Sequence, residues 1–190
     1  MNRTIIYFVR HAHSLYSQDE AGRPLSEKGM TDCEHITSML KNAAIDKVIS
    51  SPYKRAIQTV EVIAAHYQLN IEIMDDLKER KLSEYPIPDF QEAMNKVWYN
   101  PHYALEGGES NIAAQKRGIR AIRHILERYN GKKIVIGTHG NIMVLIMNYF
   151  DSNYDYDFWK TLSMPDIYQL TFERNKLIMA KRVADSKEYI

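Results

Sequence analysis

"TIIYFVRHAHS", residues 4–14, sets a β-branched and apolar run directly before Arg10, His11, Ala12 and His13. A continuous apolar run of this length, closed by polar residues, predicts a strand buried on both faces, as in a parallel sheet. Such a strand delivers Arg10, His11 and His13 to one point. Taken alone, the stretch allows three readings. His11 and His13 are two residues apart, which in an extended chain turns two imidazoles to the same side, as a metal site requires. One histidine is a nucleophile beside an arginine that grips phosphate. Or the polar residues are only the end of a strand.

Two runs of the same kind follow, "KVISS" (47–51) and "KIVIGT" (133–138), with a weaker one, "IEIM", at 71–74. Helical patterns lie between them. Residues 26–42 open on a serine cap and carry Met30, Cys33, Ile36 and Leu40 at helical spacing. Residues 54–67 repeat the pattern with Ile57, Val60, Ile63 and Ala64. Residues 109–131 place Ile112, Ile119, Ile122 and Leu126 on one stripe and stop at Asn130-Gly131. "NIMVLIMNYF" (141–150) is an apolar helix directly after a strand. "DIYQLTFE" and "KLIMAKRV" flank Arg174-Asn175 and predict a terminal β-hairpin. Strands alternating with helices predict an α/β fold, a three-layer α/β/α sandwich around a mostly parallel sheet.

The 190 residues suit one domain with a sizeable core. A formal net charge of +1 gives no global pull toward nucleic acid or an anionic membrane. Cys33 is the only cysteine, so neither an internal disulfide nor a multi-cysteine metal site can form. With no signal-peptide pattern and no apolar run near the ~18 residues of a membrane span, the expected location is the cytoplasm. The sequence sets no oligomeric state.

In open α/β sheets, sites form beyond the carboxyl ends of the strands. The polar motifs fall there: Arg10-His11 after the first strand, Ser51 to Arg55 after the second, Thr138-His139-Gly140 after the later one. Arginine is the planar, bidentate partner of phosphate, and helix N-terminal amides favour anions at the same junctions. A neutral histidine can act as a covalent nucleophile, and neighbouring Arg10 and Arg55 oppose its protonation. The metal reading lacks support. Ser14, Leu15 and Tyr16 follow instead of further ligands, and two arginines are poor company for a cation.

"VRHAHS", "LSEKG" (25–29), "SSPYKRAIQT" (50–59), "LKER" (77–80), "GGES" (107–110) and "THGN" (138–141) stand in the order seen in the histidine phosphatase superfamily. The chain resembles the phosphoglycerate mutase-like branch of that group. The resemblance implies a phosphohistidine intermediate with no metal or organic cofactor. It implies His11 as nucleophile, Arg10, Arg55 and His139 as holders of the phosphoryl group, and Glu79 as general acid. It also sets the amides around Gly140 and Asn141 near the phosphate, with Ser17 where relatives often have a phosphate-contacting asparagine. The sequence departs from the pattern at Ala12, at His13 (usually acidic) and at Ser83 (usually glycine), and the Trp-Glu-Gly that often follows is missing. Glu84 is therefore an alternative acid.

The resemblance makes the whole chain, 1–190, one domain, with 80–108 as a lid or insertion. A mutase must grip a second anionic group and exclude water. Residues 80–106 are short and aromatic (Tyr85, Phe90, Trp98, Tyr99, Tyr103), with few basic residues (Arg80, Lys81, Lys96). These aromatics either pack a helix onto the domain or touch substrate. The expected activity is a phosphatase acting on a small phosphomonoester. The alternatives are mutase-type phosphoryl transfer and a non-catalytic phosphoester-binding relative.

Overall fold

The computed structural model describes residues 2–183; Met1 and 184–190, the ends of the expected domain, lie outside them. Its centre is β1 (Arg3–Arg10), the strand of the opening motif. Side chains alternate across it. Ile6 and Phe8 enter one apolar layer, and Tyr7 and Val9 enter the other. A strand with both faces covered reads as an unbroken apolar run, which is why periodicity alone exposes it.

The sheet order is β3-β2-β4-β1-β5-β6. Strands β2 (Lys47–Ser50), β3 (Ile71–Ile73) and β4 (Lys133–Thr138) run parallel to β1. The hairpin β5 (Asp166–Glu173) and β6 (Lys176–Arg182) adds an antiparallel edge. Its tip residue Arg174 has φ 55°, the left-handed conformation of a tight turn. Helices α1 (Glu27–Leu40) and α2 (Lys54–His66) pack on one face. Helices α4 (Asn111–Arg128) and α5 (Gly140–Phe150) pack on the other. The result is the expected α/β/α sandwich around a mixed sheet.

Ser26 caps α1 by accepting the Gly29 N–H, and Ser110 caps α4 by accepting that of Ala113. Gly118 lets α4 approach α5; a β-carbon there would meet Ile146 Cγ1 at 2.6 Å. Two local expectations change. Met30, placed on the apolar stripe of α1, is 45% exposed, because a stripe at every third residue drifts off the buried face. The short helix α6 (Tyr156–Thr161) is too brief to show a period and was not foreseen.

The segment 80–108 contains α3 (Phe90–Tyr99). Trp98 stacks on Tyr156 at 5.6 Å, and Met94 and Val97 are buried with Tyr156. Part of the aromatic content thus packs this segment onto α6. Tyr85, Phe90 and Tyr99 remain exposed.

Sheet register sets the next level. Arg10 pairs with Thr138, and the His11 N–H donates to the Thr138 carbonyl at 2.9 Å. The Ser51 N–H donates to the Gly137 carbonyl at 2.9 Å. The ends of β1, β2 and β4 are therefore tied at one level of the sheet edge.

Candidate active site

His11 is 6% exposed at the end of β1. Its Nδ1 lies 2.8 Å from the Ala12 carbonyl oxygen. A carbonyl only accepts, so Nδ1 carries the proton and Nε2 keeps its lone pair. Burial pushes the ring's pKa down to about 3, and Arg55, Arg10 and Arg23 add to the effect. The imidazole is neutral at any ordinary pH.

His139 packs against it, with ring centroids 5.2 Å apart. It is fully buried, and its Nε2 meets Ser51 Oγ at 2.7 Å. Burial holds it well below the usual histidine range, helped by His11 and Arg55. Its Nδ1 is buried with no hydrogen-bond partner. Tyr53 stacks edge-on against this ring at 5.1 Å, and Arg55 lies over Tyr53 at 4.9 Å.

Arg10 Nη1 donates to the carbonyls of Leu162 and Ser163, at 3.1 and 3.0 Å. Helix α6 and the segment after it thus aim this guanidinium. Gly140 opens the approach: a β-carbon there would sit 2.9 Å from Arg10 Nε. Arg55, in the first turn of α2, is 2% exposed and donates to the Glu20 carbonyl and carboxylate, both at 2.7 Å. The Nε atoms of both arginines are buried and unpartnered.

Glu79 reaches the N-terminus of α5. Its Oε2 accepts the Asn141 N–H at 3.0 Å, and its Oε1 accepts those of Ile142 (2.9 Å) and Arg80 (2.8 Å). The carboxylate thus caps the helix that His139 begins. The Asn141 amide, expected near phosphate, is directed to Glu79.

Three foreseen or alternative residues stand apart. The Glu84 side chain is 61% exposed and pairs with Lys81 at 3.7 Å. Ser17 accepts the Asp19 N–H at 3.2 Å within its own turn. His13 is exposed, with Nδ1 2.8 Å from Ser26 Oγ, so His11 and His13 do not converge as the alternation suggested. The strand ends at Arg10, and the alternation ends with it. Among the described residues, no three His, Cys, Asp or Glu side chains gather as metal ligands.

Sequence reasoning missed Arg117. Buried on α4, it donates to both Glu109 oxygens at 2.8 Å and to the carbonyls of Asp76, Lys78 and Glu79. That fork holds the turn carrying Glu79. Its only signal was its place between Ala114 and Ala121 on the buried face.

A family model, the histidine phosphatase superfamily (branch 1), matches residues 6–184. The chain belongs to that superfamily. It is 28% identical over 155 residues to phosphoglycerate mutase-like protein 4 of Arabidopsis thaliana, covering 73% of this chain and 67% of that one. It is 22% identical over 156 residues to the adenosylcobalamin/alpha-ribazole phosphatase of Escherichia coli, covering 75% and 76%. Among solved structures, a mycobacterial glucosyl-3-phosphoglycerate phosphatase superposes with a TM-score of 0.76 at 17% identity, covering 95% of this chain and 97% of that one. Its fold is thus the phosphatase- and mutase-like fold of that superfamily. No helix of the described residues is long and apolar enough to cross a membrane.

Proposed function

We propose that the protein is a metal-independent phosphomonoester hydrolase that works through a phosphohistidine on His11. The observation that carries this is the state of His11. It is buried and neutral, with Nδ1–H tied to the Ala12 carbonyl, and it sits against His139 within electrostatic reach of Arg10 and Arg55. A neutral ring with a free Nε2 is the form that can attack phosphorus.

In the first step Nε2 bonds to phosphorus and the bond to the leaving oxygen breaks. Glu79 gives that oxygen a proton. Arg10, Arg55 and His139 hold the transferring oxygens, where fixed positive donors match the charge of the transition state. In the second step water attacks, Glu79 takes its proton, the phosphorus–nitrogen bond breaks and phosphate leaves. Glu79 must release an α5 amide to turn toward the substrate, and the arriving phosphoryl group supplies a new acceptor at that helix end.

The lid favours hydrolysis over mutase transfer. Lys96 pairs with Glu92 at 2.7 Å, Lys81 faces Glu84, and Arg80 is buried with Nη2 3.2 Å from Met94 Sδ. Both lysines face carboxylates and Arg80 is only 5% exposed, which speaks against a second phosphate clamp on this segment. The related phosphatases act, by their names, on phosphorylated small molecules, which supports a substrate of that size. The presence together of Arg10, His11, Arg55, Glu79 and His139 argues against a binding-only role.

The test is phosphate release from nitrophenyl phosphate. His11→Ala is expected to lower turnover by at least ~1,000-fold while circular dichroism stays native. Near-normal release would refute the assignment.

A further inference from the structure

The loop between β1 and α1 contains an anion of its own. The Glu20 carboxylate bridges two arginines: Oε1 lies 2.7 Å from Arg55 Nη2, and Oε2 lies 3.2 Å from Arg23 Nη1. The partners are unlike. Arg55 is 2% exposed and cannot leave, and a buried guanidinium requires an anion. The Glu20 side chain is 51% exposed on a stretch that is largely open to solvent from Leu15 to Ala21. An exposed carboxylate gives up an ion pair at small cost. The buried cation is the fixed half and Glu20 the exchangeable half.

Arg23 is fixed as well. Its Nε donates to Ser14 Oγ at 3.0 Å, and Ser14 is buried and bridged to Leu25. One edge of its guanidinium is anchored and the other is turned to Glu20. Arg23 stands with Arg55 and Arg10 among the cations that oppose a proton on His11, so all three lie within electrostatic reach of the nucleophile.

We propose that Glu20 is a displaceable internal occupant of the anion site, and that Arg23 is a further arginine of that site, which takes an oxyanion of the phosphoryl group once Glu20 leaves. The inference rests on the phosphoryl-binding reading of Arg10 and Arg55. A dianionic phosphoryl group offers three oxygens to the two arginine edges that Glu20 joins with two. A monoanion offers less, so the exchange selects for dianionic phosphate.

Binding of inorganic phosphate to the full-length protein, by calorimetry at constant ionic strength, tests this without any turnover. If Glu20 competes, Glu20→Gln tightens phosphate binding about tenfold, because the site is no longer mostly self-occupied. Glu20→Asp keeps the charge but is too short to span both arginines, and it tightens binding at least about threefold. Asp19→Asn, a neighbouring charge with no arginine contact, changes it less than about twofold. Adding Arg23→Gln to Glu20→Gln weakens binding about tenfold. Unchanged or weaker binding in Glu20→Gln would overturn the proposal, since Glu20 would then be orienting Arg55. Wild-type affinity in Glu20→Asp together with tightening in Asp19→Asn would also overturn it, as a general charge effect. If no form binds phosphate, the anion site itself fails and this inference with it. If the wild type binds and the Glu20 variants match it, only this inference fails.

Discussion

Arg10, His11 and His139 on the one hand, and residues 15–24 on the other, meet at the same site by opposite means. The first group is set by sheet register at strand and helix ends, with His11 buried, His139 wholly inaccessible and Arg10 partly buried. The second is an exposed loop whose carboxylate reaches in and whose position depends on side-chain bonds. The floor gains precision because moving any of its residues would shear a ladder of backbone hydrogen bonds. The loop gains exchange because its carboxylate is half exposed and another anion can take its place on the arginines. The segment 80–108 lies between these extremes. Its α3 is packed on α6, while the turn just before it, which carries Glu79, is clamped by Arg117.

Glu79 gives the largest effect that separates the floor from this turn. A poor alkoxide leaving group needs a proton as its bond to phosphorus breaks, and general acids contribute about 100- to 10,000-fold. Glu79→Gln should slow alkyl phosphates by at least about 100-fold and spare nitrophenyl phosphate in the step that phosphorylates His11. Burst kinetics on the aryl ester would resolve the steps, with a burst followed by slow turnover expected. Equal slowing of both esters in the first step would remove the acid from Glu79 and leave it as the cap of α5.

Arg117 tests whether the turn carrying Glu79 depends on its clamp. Arg117→Gln removes a forked donor from Glu109 and three carbonyls, and should cost about 2–4 kcal/mol by urea denaturation. The Glu79 turn loosens with it, so kcat for alkyl phosphates should fall about tenfold with KM little changed. Arg117→Lys should not rescue, because an ammonium cannot span the fork. A rate loss confined to KM would mean that Arg117 serves binding and leaves Glu79 alone.

The buried floor also predicts acid sensitivity. Both His11 and His139 have folded pKa values below the unfolded ~6.5, His11 at about 3. Between those values the unfolded chain binds the extra protons, so stability is complete above the unfolded pKa and falls as pH drops. At about pH 5, His11 removes about 2 kcal/mol relative to neutral pH, and His139 acts in the same direction. His11→Gln cannot titrate, so its stability should decline less over the same interval, by about that amount. Equal declines would show that His11 is protonated within the fold.

The parts of this molecule legible in sequence are those fixed by period or register. An unbroken apolar run identified β1 and β4, and the polar residues after them became the floor. Arg117 was hidden because its neighbours Lys116, Arg120 and Arg123 carry the same charge, and only burial separates them. Glu20, Arg23 and Ser14 were hidden because a loop has no period, and their pairing depends on the bridge from Ser14 to Leu25. His13 was placed with His11 because alternation was extended three residues past the end of the strand at Arg10. Glu79 was found through a motif, but its three backbone bonds follow from α5 starting beside it, a contact across 62 residues that no local pattern carries.

The most direct test of the account is to trap the intermediate. Wild-type protein and Glu79→Gln would be mixed with radiolabelled phosphomonoester, quenched in base within the burst, and digested for mass spectrometry. The account predicts acid-labile, base-stable phosphate on His11, approaching about one per chain in Glu79→Gln, where release is slow, and none in His11→Ala. Label on another residue, or full turnover with no protein-bound phosphate in either form, would contradict it.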